Sequence, residues 1–217
     1  MSDIRELLRS ASHDIGVPLN DDAVSLFLQY CDELLFWNRK MSLTSIRSPS
    51  DIAIKHFVDS LTIVPLIPSS AVNILDVGSG AGFPGIPVKI VLQDCDITLL
   101  EPSRKKSSFL RHVIRSLSLS RISVRTDRLE NLIQRDDPPP FFDVIVTRAT
   151  LTLGDSFRAA PLLTHGGRLI LMKGTRDSFS TDLSNNDCPL SLRLLTIRPL
   201  RLPLSGDERH LVLFEKI

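Results

Sequence analysis

The chain has 217 residues, 42% of them hydrophobic, and a formal net charge of +1 at pH 7. This length is typical of one globular domain with an extension, and the near-zero charge means that any surface for nucleic acid has to be local. The three cysteines are scattered without a CxxC pair, so neither a disulfide framework nor a zinc site is expected. We find no signal peptide and no apolar run of membrane length, and we expect a cytoplasmic protein without a membrane partner.

Residues 1–70 are predicted to form an N-terminal helical extension, followed by a second domain over residues 71–217. Asn20 is a candidate cap for a helix whose apolar residues recur at helical spacing, and a third helix is predicted to begin at Ser48-Pro49. Four residues lie off the apolar stripe of this third helix: Lys55, His56, Asp59 and Ser60. They form either a solvated face or a cluster that covers a cofactor or meets a substrate, and both alternatives stay open.

The most informative stretch, residues 73–85, reads Asn-Ile-Leu-Asp-Val-Gly-Ser-Gly-Ala-Gly-Phe-Pro-Gly, which indicates a strand, a glycine-rich turn and the start of a helix. Gly80–Gly85 matches the dinucleotide fingerprint G-x-G-x-x-G, which is a weak signal alone. Gly78-x-Gly80-x-Gly82 after Asp76 fits S-adenosylmethionine (SAM) better, because the sulfonium and ammonium groups of SAM favour a nearby acid. A turn without any cofactor is the third alternative.

From residue 71 onward, strands and helices alternate, which predicts an α/β fold with a mostly parallel, Rossmann-like sheet of the SAM-dependent methyltransferase type. The second predicted strand ends in Glu101, where an acid meets the ribose hydroxyls of an adenosine-containing cofactor. The last two predicted strands, 191–197 and 211–215, leave no room for a crossover helix between them. We therefore expect an antiparallel C-terminal hairpin, which is more typical of methyltransferases than of NAD-binding domains. The remaining predicted strands are 73–77, 96–100, 122–126, 142–147 and 167–172.

Ligands bind at the carboxyl ends of the strands in such sheets. Leu129 and Glu130 follow the third strand, where contacts to an adenine are expected, and Arg148 and Lys173 follow the fourth and fifth. Arg148 forms either a salt bridge or a ligand contact. The helix after Glu101 carries six basic side chains: Arg104, Lys105, Lys106, Arg111, His112 and Arg115. They form either a solvated surface or a patch that faces phosphates, and the solvated surface is favoured.

Several motifs occur together and in order, and the chain that carries them resembles the RsmG (GidB) family of bacterial ribosomal RNA methyltransferases from Trp37 to its end. The stretch Asp76–Pro87 is nearly diagnostic by itself. The family usually has Asn where this chain has Ser42. The motifs are Trp37-Asn38 with Leu43-Thr44, His56–Leu61, Asp76–Pro87, Leu99–Lys105 with Phe109-Leu110, Arg128–Glu130, Thr147-Arg148-Ala149, Lys173-Gly174 and Gly206–Leu211.

The resemblance implies transfer of a methyl group from SAM to N7 of a guanine in 16S ribosomal RNA, presented as RNA or as the 30S subunit. The cofactor contacts that it implies are Gly78, Phe83, Leu129, Glu130 and Arg148, to which the analysis of the strand edge adds Asp76, Gly80 and Glu101. We expect Arg148 to pair with the carboxylate of SAM. The suggested RNA contacts are His56, Lys173, Arg209 and His210.

Guanine N7 carries an exposed lone pair that attacks without deprotonation, so positioning alone can support the reaction. We therefore assign no catalytic residue and no metal, and we expect a monomer. Cytosine C5 methylation would need a nucleophilic cysteine, but Cys95 and Cys188 lie in predicted loops. Methylation of an adenine amino group would need an acid or Asn before Pro-Pro-aromatic, where this chain has Thr147-Arg148-Ala149-Thr150.

Two further functions remain as alternatives. A protein with this fold could bind RNA or sense SAM without transferring a methyl group. An NAD-dependent oxidoreductase could use Gly80–Gly85, but it should show a proton-transfer group such as a Tyr-Lys pair. The only tyrosine, Tyr30, lies in a predicted core helix.

Overall fold

The computed structural model describes residues 2–134, 141–148, 152–174 and 188–217. Ala149 and Thr150, which complete the motif after the fourth strand, lie outside these ranges. The helices are α1 (Ser2–Asp14), α2 (Asp21–Met41), α3 (Pro49–Ile52), α4 (Asp59–Leu61), α5 (Gly85–Val91), α6 (Arg104–Ser116), α7 (Leu129–Ile133) and α8 (Leu153–Phe157). The strands are β1 (Asn73–Val77), β2 (Asp96–Leu100), β3 (Ile122–Arg125), β4 (Phe142–Arg148), β5 (Leu163–Lys173), β6 (Leu192–Arg201) and β7 (Glu208–Lys216).

The seven strands form one sheet in the order β3-β2-β1-β4-β5-β7-β6. Strands β1 to β5 pair in parallel, whereas β7 pairs antiparallel with both β5 and β6. Val77, at the end of β1, pairs with Leu100 on one side and with Thr147 on the other. The carboxyl ends of the central strands therefore share one edge. The predicted α/β fold with its antiparallel C-terminal hairpin is confirmed.

Both faces of the sheet are covered. On one face, Ile74, Val144 and Ile170 share a buried core with residues of the N-terminal helices such as Phe27 and Phe57. The other face buries a second cluster that includes Leu75, Ile145, Leu171, Phe157 and Phe214. The predicted boundary at residue 70 stays a prediction, since residues from both sides of it contribute to the first core.

Local capping explains where the N-terminal helices begin. Asn20 accepts a hydrogen bond from the backbone N–H of Ala23 at 2.8 Å, and Ser48 accepts one from Asp51 at 3.5 Å. Side-chain oxygens at these positions satisfy backbone donors that have no partner within the helix. Both predicted caps are confirmed.

The third predicted helix is continuous from Pro49 to Leu61, but its middle is a wide π-helical turn, Ala53–Val58, between α3 and α4. His56, Asp59 and Ser60 are buried, so the solvated-face alternative is wrong for these three residues. Lys55 remains partly exposed and pairs with Asp51 at 3.2 Å. A π turn adds a residue to the repeat, and the face predicted from ideal α-helical spacing is therefore displaced.

Candidate active site

The glycine-rich turn forms a tight loop, Gly78–Gly85, at the carboxyl end of β1. Gly78, Gly80 and Gly82 have φ values of 74°, 59° and 101°, which L side chains rarely adopt. At Gly82 space is also limited, because a Cβ atom there would lie 2.5 Å from the Tyr30 hydroxyl oxygen. The sequence requirement for glycine is thus both conformational and steric at this position.

Buried hydrogen bonds hold the loop from behind. Asp76 Oδ2 accepts from the backbone N–H of Gly85 at 3.0 Å, Ser79 Oγ donates to the Asp76 carbonyl at 3.0 Å, and the Tyr30 hydroxyl donates to the Ala81 carbonyl. Burial raises the pKa of Asp76 to about 7. Among the described residues its Oδ1 atom has no hydrogen-bond partner. Asp76 lines neither cavity described below, so its predicted cofactor contact stays a prediction and its observed role is to fix the loop.

Two cavities meet at the loop, and Gly78, Gly80 and Lys106 line both of them. The β2–β3 cavity has a volume of about 440 Å³ and is also lined by Glu101, Asp127, Leu129, Glu130 and Asp155. The β4–β5 cavity has a volume of about 420 Å³ and is also lined by Thr44, His56, Asp59, Phe83, Arg148, Lys173 and Arg209. Both volumes lie in the range of small-molecule sites.

Glu101 connects the β2–β3 cavity to the loop. Its side chain is buried. Oε2 accepts from the backbone N–H of Gly80 at 2.8 Å, and Oε1 accepts from the backbone N–H of Ser103 at 2.9 Å. Leu129 is buried at the start of α7, and the exposed Glu130 pairs with Arg158 at 3.1 Å. A fixed carboxylate beside an apolar side chain suits a ribose that carries a planar base.

A buried ion-pair network forms the floor of the β4–β5 cavity. Arg148 Nη1 donates to Asp59 Oδ2 at 3.4 Å and to the Lys55 carbonyl at 3.3 Å. Arg209 Nε donates to Asp59 Oδ1 at 3.2 Å. Burial raises the pKa of Asp59, whereas the two guanidinium groups oppose that shift. The salt bridge expected as one alternative for Arg148 is present, and its contact with a cofactor stays a prediction.

His56 lies between this network and Phe83. The two rings stack with centroids 4.5 Å apart and an angle of 15° between their planes, and the guanidinium carbon of Arg148 lies 4.9 Å from the centroid of Phe83. Burial and the charge of Arg148 lower the pKa of His56 to about 3, so the ring is neutral at pH 7. Arg148 Nη2 lies 3.2 Å from His56 Nδ1, and His56 Nε2 lies 2.8 Å from Thr44 Oγ1. Both ring nitrogens are therefore engaged within the protein.

The other suggested RNA contacts divide between two places. Lys173 and Arg209 line the β4–β5 cavity, whereas His210 lies in a neighbouring groove that Arg209 also lines. His210 Nδ1 donates to the Gly174 carbonyl at 2.9 Å. Seven of the predicted residues line the β4–β5 cavity, and the first two of them also line the β2–β3 cavity: Gly78, Gly80, Phe83, His56, Arg148, Lys173 and Arg209.

Four residues at the site received no individual role from the sequence: Tyr30, Thr44, Asp59 and Lys106. Thr44 belongs to one of the quoted motifs, and Asp59 lies in the motif of the third helix. Tyr30 is hidden because its apolar ring follows the pattern of a core helix, although its hydroxyl group reaches the loop. Lys106 is one of several basic residues on α6, and nothing in that pattern distinguishes it.

Other classes of chemistry find little support in the described residues. They include no group of three or more His, Cys, Asp or Glu side chains that could hold a metal ion. Burial raises the pKa of the Cys95 and Cys188 thiols, which disfavours a thiolate nucleophile. No described helix is long and apolar enough to cross a membrane.

Comparison with known proteins gives consistent results. A family model described as "GidB: rRNA small subunit methyltransferase G" matches residues 23–212. The "Ribosomal RNA small subunit methyltransferase G" of Syntrophus aciditrophicus is 40% identical over 213 residues, which cover 97% of this chain and 88% of that protein. The protein of the same name from Geotalea uraniireducens is 39% identical over 217 residues, covering 98% and 97%.

Solved structures share the fold at low sequence identity. TrmN from Thermus thermophilus superposes with a TM-score of 0.59 at 19% identity, covering 74% of this chain and 48% of that one. The N-methyltransferase NodS from Bradyrhizobium japonicum, in complex with S-adenosyl-L-homocysteine, superposes with a TM-score of 0.57 at 14% identity, covering 88% and 98%. These likenesses concern the fold alone.

Proposed function

Because the chain belongs to the GidB family of ribosomal RNA small subunit methyltransferase G, we propose that it transfers a methyl group from SAM to N7 of a guanine in 16S ribosomal RNA. The observation that carries the proposal is the pair of cavities joined at the glycine loop. One suits a nucleoside cofactor, and the other is large enough for a purine. The relatives' names and the S-adenosyl-L-homocysteine complex of NodS support the substrate and the cofactor.

The residues present fit SAM. The Glu101 carboxylate is fixed at the end of β2 and can accept hydrogen bonds from ribose hydroxyls, with Leu129 and Glu130 beside the base. Gly78 and Gly80 let the methionine part lie against the main chain between the two cavities. Two cations are available to its carboxylate: Lys106, which lines both cavities, and Arg148, which lines the β4–β5 cavity.

SAM supplies an electrophilic methyl group, and the protein's part is to orient a purine towards it. Guanine N7 needs no base, and neither His56 nor Asp59 in this cavity is poised to act as one. His56 has a pKa of about 3 with both nitrogens engaged, and Asp59 is paired with two arginines. Phe83 and His56 give the cavity a rigid stacked wall. Alignment of this kind supplies about 7–11 kcal/mol in well-oriented reactions.

RNA is proposed to approach on the side of the β4–β5 cavity that Lys173, Arg209 and the neighbouring His210 line. Positive side chains there can contact phosphates, although the chain as a whole carries a formal net charge of only +1. We propose the 16S RNA or the 30S subunit as the partner of a monomeric, cytoplasmic enzyme.

The direct test is transfer of labelled methyl from SAM to 30S subunits that lack the modification, with the product mapped by cleavage at 7-methylguanosine. A single labelled guanine in 16S RNA is expected, and subunits that already carry the modification serve as the unreactive control. Binding of SAM without transfer to RNA or particle would favour a binding or sensing protein. A thermal shift with NADH instead of SAM would favour an oxidoreductase.

A further inference from the structure

Thr44 is held at the wall of the β4–β5 cavity by hydrogen bonds on several sides. The Asn38 side chain contacts both backbone groups of Thr44. Its Nδ2 donates to the Thr44 carbonyl at 2.9 Å, and its Oδ1 accepts from the Thr44 N–H at 2.9 Å. Such a paired contact fixes both the position and the rotation of the residue. The motif Trp37-Asn38 with Leu43-Thr44 therefore acts as a unit that places one small side chain beside the cavity.

The direction of the Thr44 hydroxyl follows from its neighbours. A guanidinium group can only donate hydrogen bonds, so His56 Nδ1 accepts from Arg148, and the proton of the neutral ring is on Nε2. Nε2–H then donates to Thr44 Oγ1 at 2.8 Å. The backbone N–H of Ile46 donates to the same oxygen at 3.1 Å.

These two donors use both lone pairs of Thr44 Oγ1. The hydroxyl group can therefore act towards a ligand only through its hydrogen. Among the described residues this hydrogen has no acceptor, and Thr44 lines the cavity. Thr44 thus presents a neutral, oriented hydrogen-bond donor to whatever fills the β4–β5 cavity.

We propose that the Thr44 hydroxyl donates to O6 of the target guanine and selects guanine over adenine, an inference that rests on the proposed function. Guanine presents two adjacent acceptors, N7 and O6, whereas adenine presents N7 beside an amino donor. A fixed donor next to the attacked N7 pairs with the acceptor O6 of guanine. In adenine the same donor would meet an amino group, which is itself a donor. On the edge of the base that contains N7, the group on C6 is the one that distinguishes guanine from adenine.

The experiment compares guanine with 2-aminopurine, which keeps N7 but lacks O6, at the mapped target position of a ligated 16S RNA assembled into 30S particles. Values of kcat/KM are measured for the wild-type protein, Thr44→Val and Thr44→Ser. The wild-type protein should prefer guanine. In Thr44→Val the ratio of guanine to 2-aminopurine should fall about tenfold, as expected for loss of one hydrogen bond, while Thr44→Ser keeps the ratio. The affinity for SAM should not change.

The ratio of kcat/KM for guanine to kcat/KM for 2-aminopurine separates a loss of base recognition from general structural damage. Thr44→Val also removes the acceptor for His56 and Ile46, and a disturbance of that kind slows both substrates equally. An unchanged ratio in Thr44→Val, or equal rates of the wild-type protein on the two bases, would overturn the inference while leaving the proposed function intact. If Thr44→Val fails to fold, equal wild-type rates on the two bases would still overturn the inference, and an unchanged ratio in Thr44→Ala would do the same. A wild-type protein inactive on guanine would instead overturn the proposed function, and this inference with it.

Discussion

Arg209 and Asp59 form a hydrogen-bonded ion pair of 3.2 Å, although they are 150 residues apart in the sequence. The pair joins the start of β7 to the N-terminal helical segment at the floor of the β4–β5 cavity. The second carboxylate oxygen of Asp59 bonds to Arg148, at the end of β4. One buried carboxylate therefore fixes three separate parts of the chain around the proposed substrate site.

Replacing Asp59 should be costly for stability. Asp59→Asn keeps the shape but leaves two partly buried guanidinium groups without a counter-charge, so we expect unfolding free energy to fall by about 3 kcal/mol. Methyl transfer should fall as well. Urea unfolding measures the first effect. The matched control is Asp51→Asn, which breaks the more exposed pair with Lys55 and should change stability by less than about 1 kcal/mol. Equal losses in both variants would contradict the importance of the buried pair.

Arg148 is expected to be essential for methyl transfer. Arg148→Ala removes the donor to His56 Nδ1 and the cation proposed for the carboxylate of SAM, so transfer should be abolished while the fold is retained. Circular dichroism and a methylation assay on 30S subunits test the two parts. Arg158→Ala, which removes an exposed arginine paired with Glu130, is the control and should remain active. A fully active Arg148→Ala variant would eliminate the proposed role.

The buried Asp76 should make stability depend on pH. Its folded pKa of about 7 lies above the ordinary value of 3.8, so the folded state binds the proton more tightly than the unfolded state. Its stabilising contribution is complete below about pH 4 and is lost as pH rises through 7. Asp76→Asn cannot titrate but can still accept from Gly85.

Relative to Asp76→Asn, the wild-type protein should therefore lose roughly 2–3 kcal/mol of unfolding free energy between pH 5 and pH 8. Urea titrations of both proteins at the two pH values give the difference. Parallel pH profiles for the two proteins would show that Asp76 does not titrate in this interval.

Ser42 offers a stabilising substitution. It ends α2 with φ 51° and ψ 53°, and its N–H donates to the Asn38 carbonyl at 3.3 Å. Asn adopts this left-handed conformation more readily than Ser, so Ser42→Asn should raise the unfolding free energy by about 0.5 kcal/mol. Thermal unfolding tests this expectation. Ser108→Asn, on an exposed face inside α6, is the control and should bring no gain.

The sequence predicts well what local chemistry determines. Four of the five parallel strands contain buried apolar runs that are followed by a glycine or a polar residue, and the caps Asn20 and Ser48 each bond to a backbone group three residues away. The glycine loop is recognisable because its backbone conformations exclude other residues. These features need no knowledge of distant contacts, and the structure confirms them with small shifts at strand ends.

What the sequence leaves open depends on distant partners or on an irregular helix. Asp59 meets Arg209 only after the whole sheet has formed, so no local pattern predicts the pair. The state of His56 depends on Arg148, far away in the chain, and on burial. Lys106 lines the two cavities, but the spacing of basic residues on α6 does not distinguish it from the others.

The π-helical turn Ala53–Val58 determines where the side chain of Asp59 points. If the same residues took regular α-helical spacing, everything downstream would be rotated by roughly 100°. Asp59 would then point away from Arg148 and Arg209, although every side chain of the network would still be present in the chain. A substitution that converts the wide turn into an α-helix would therefore disrupt the network without changing any of its members. The backbone conformation of this segment is itself part of the site.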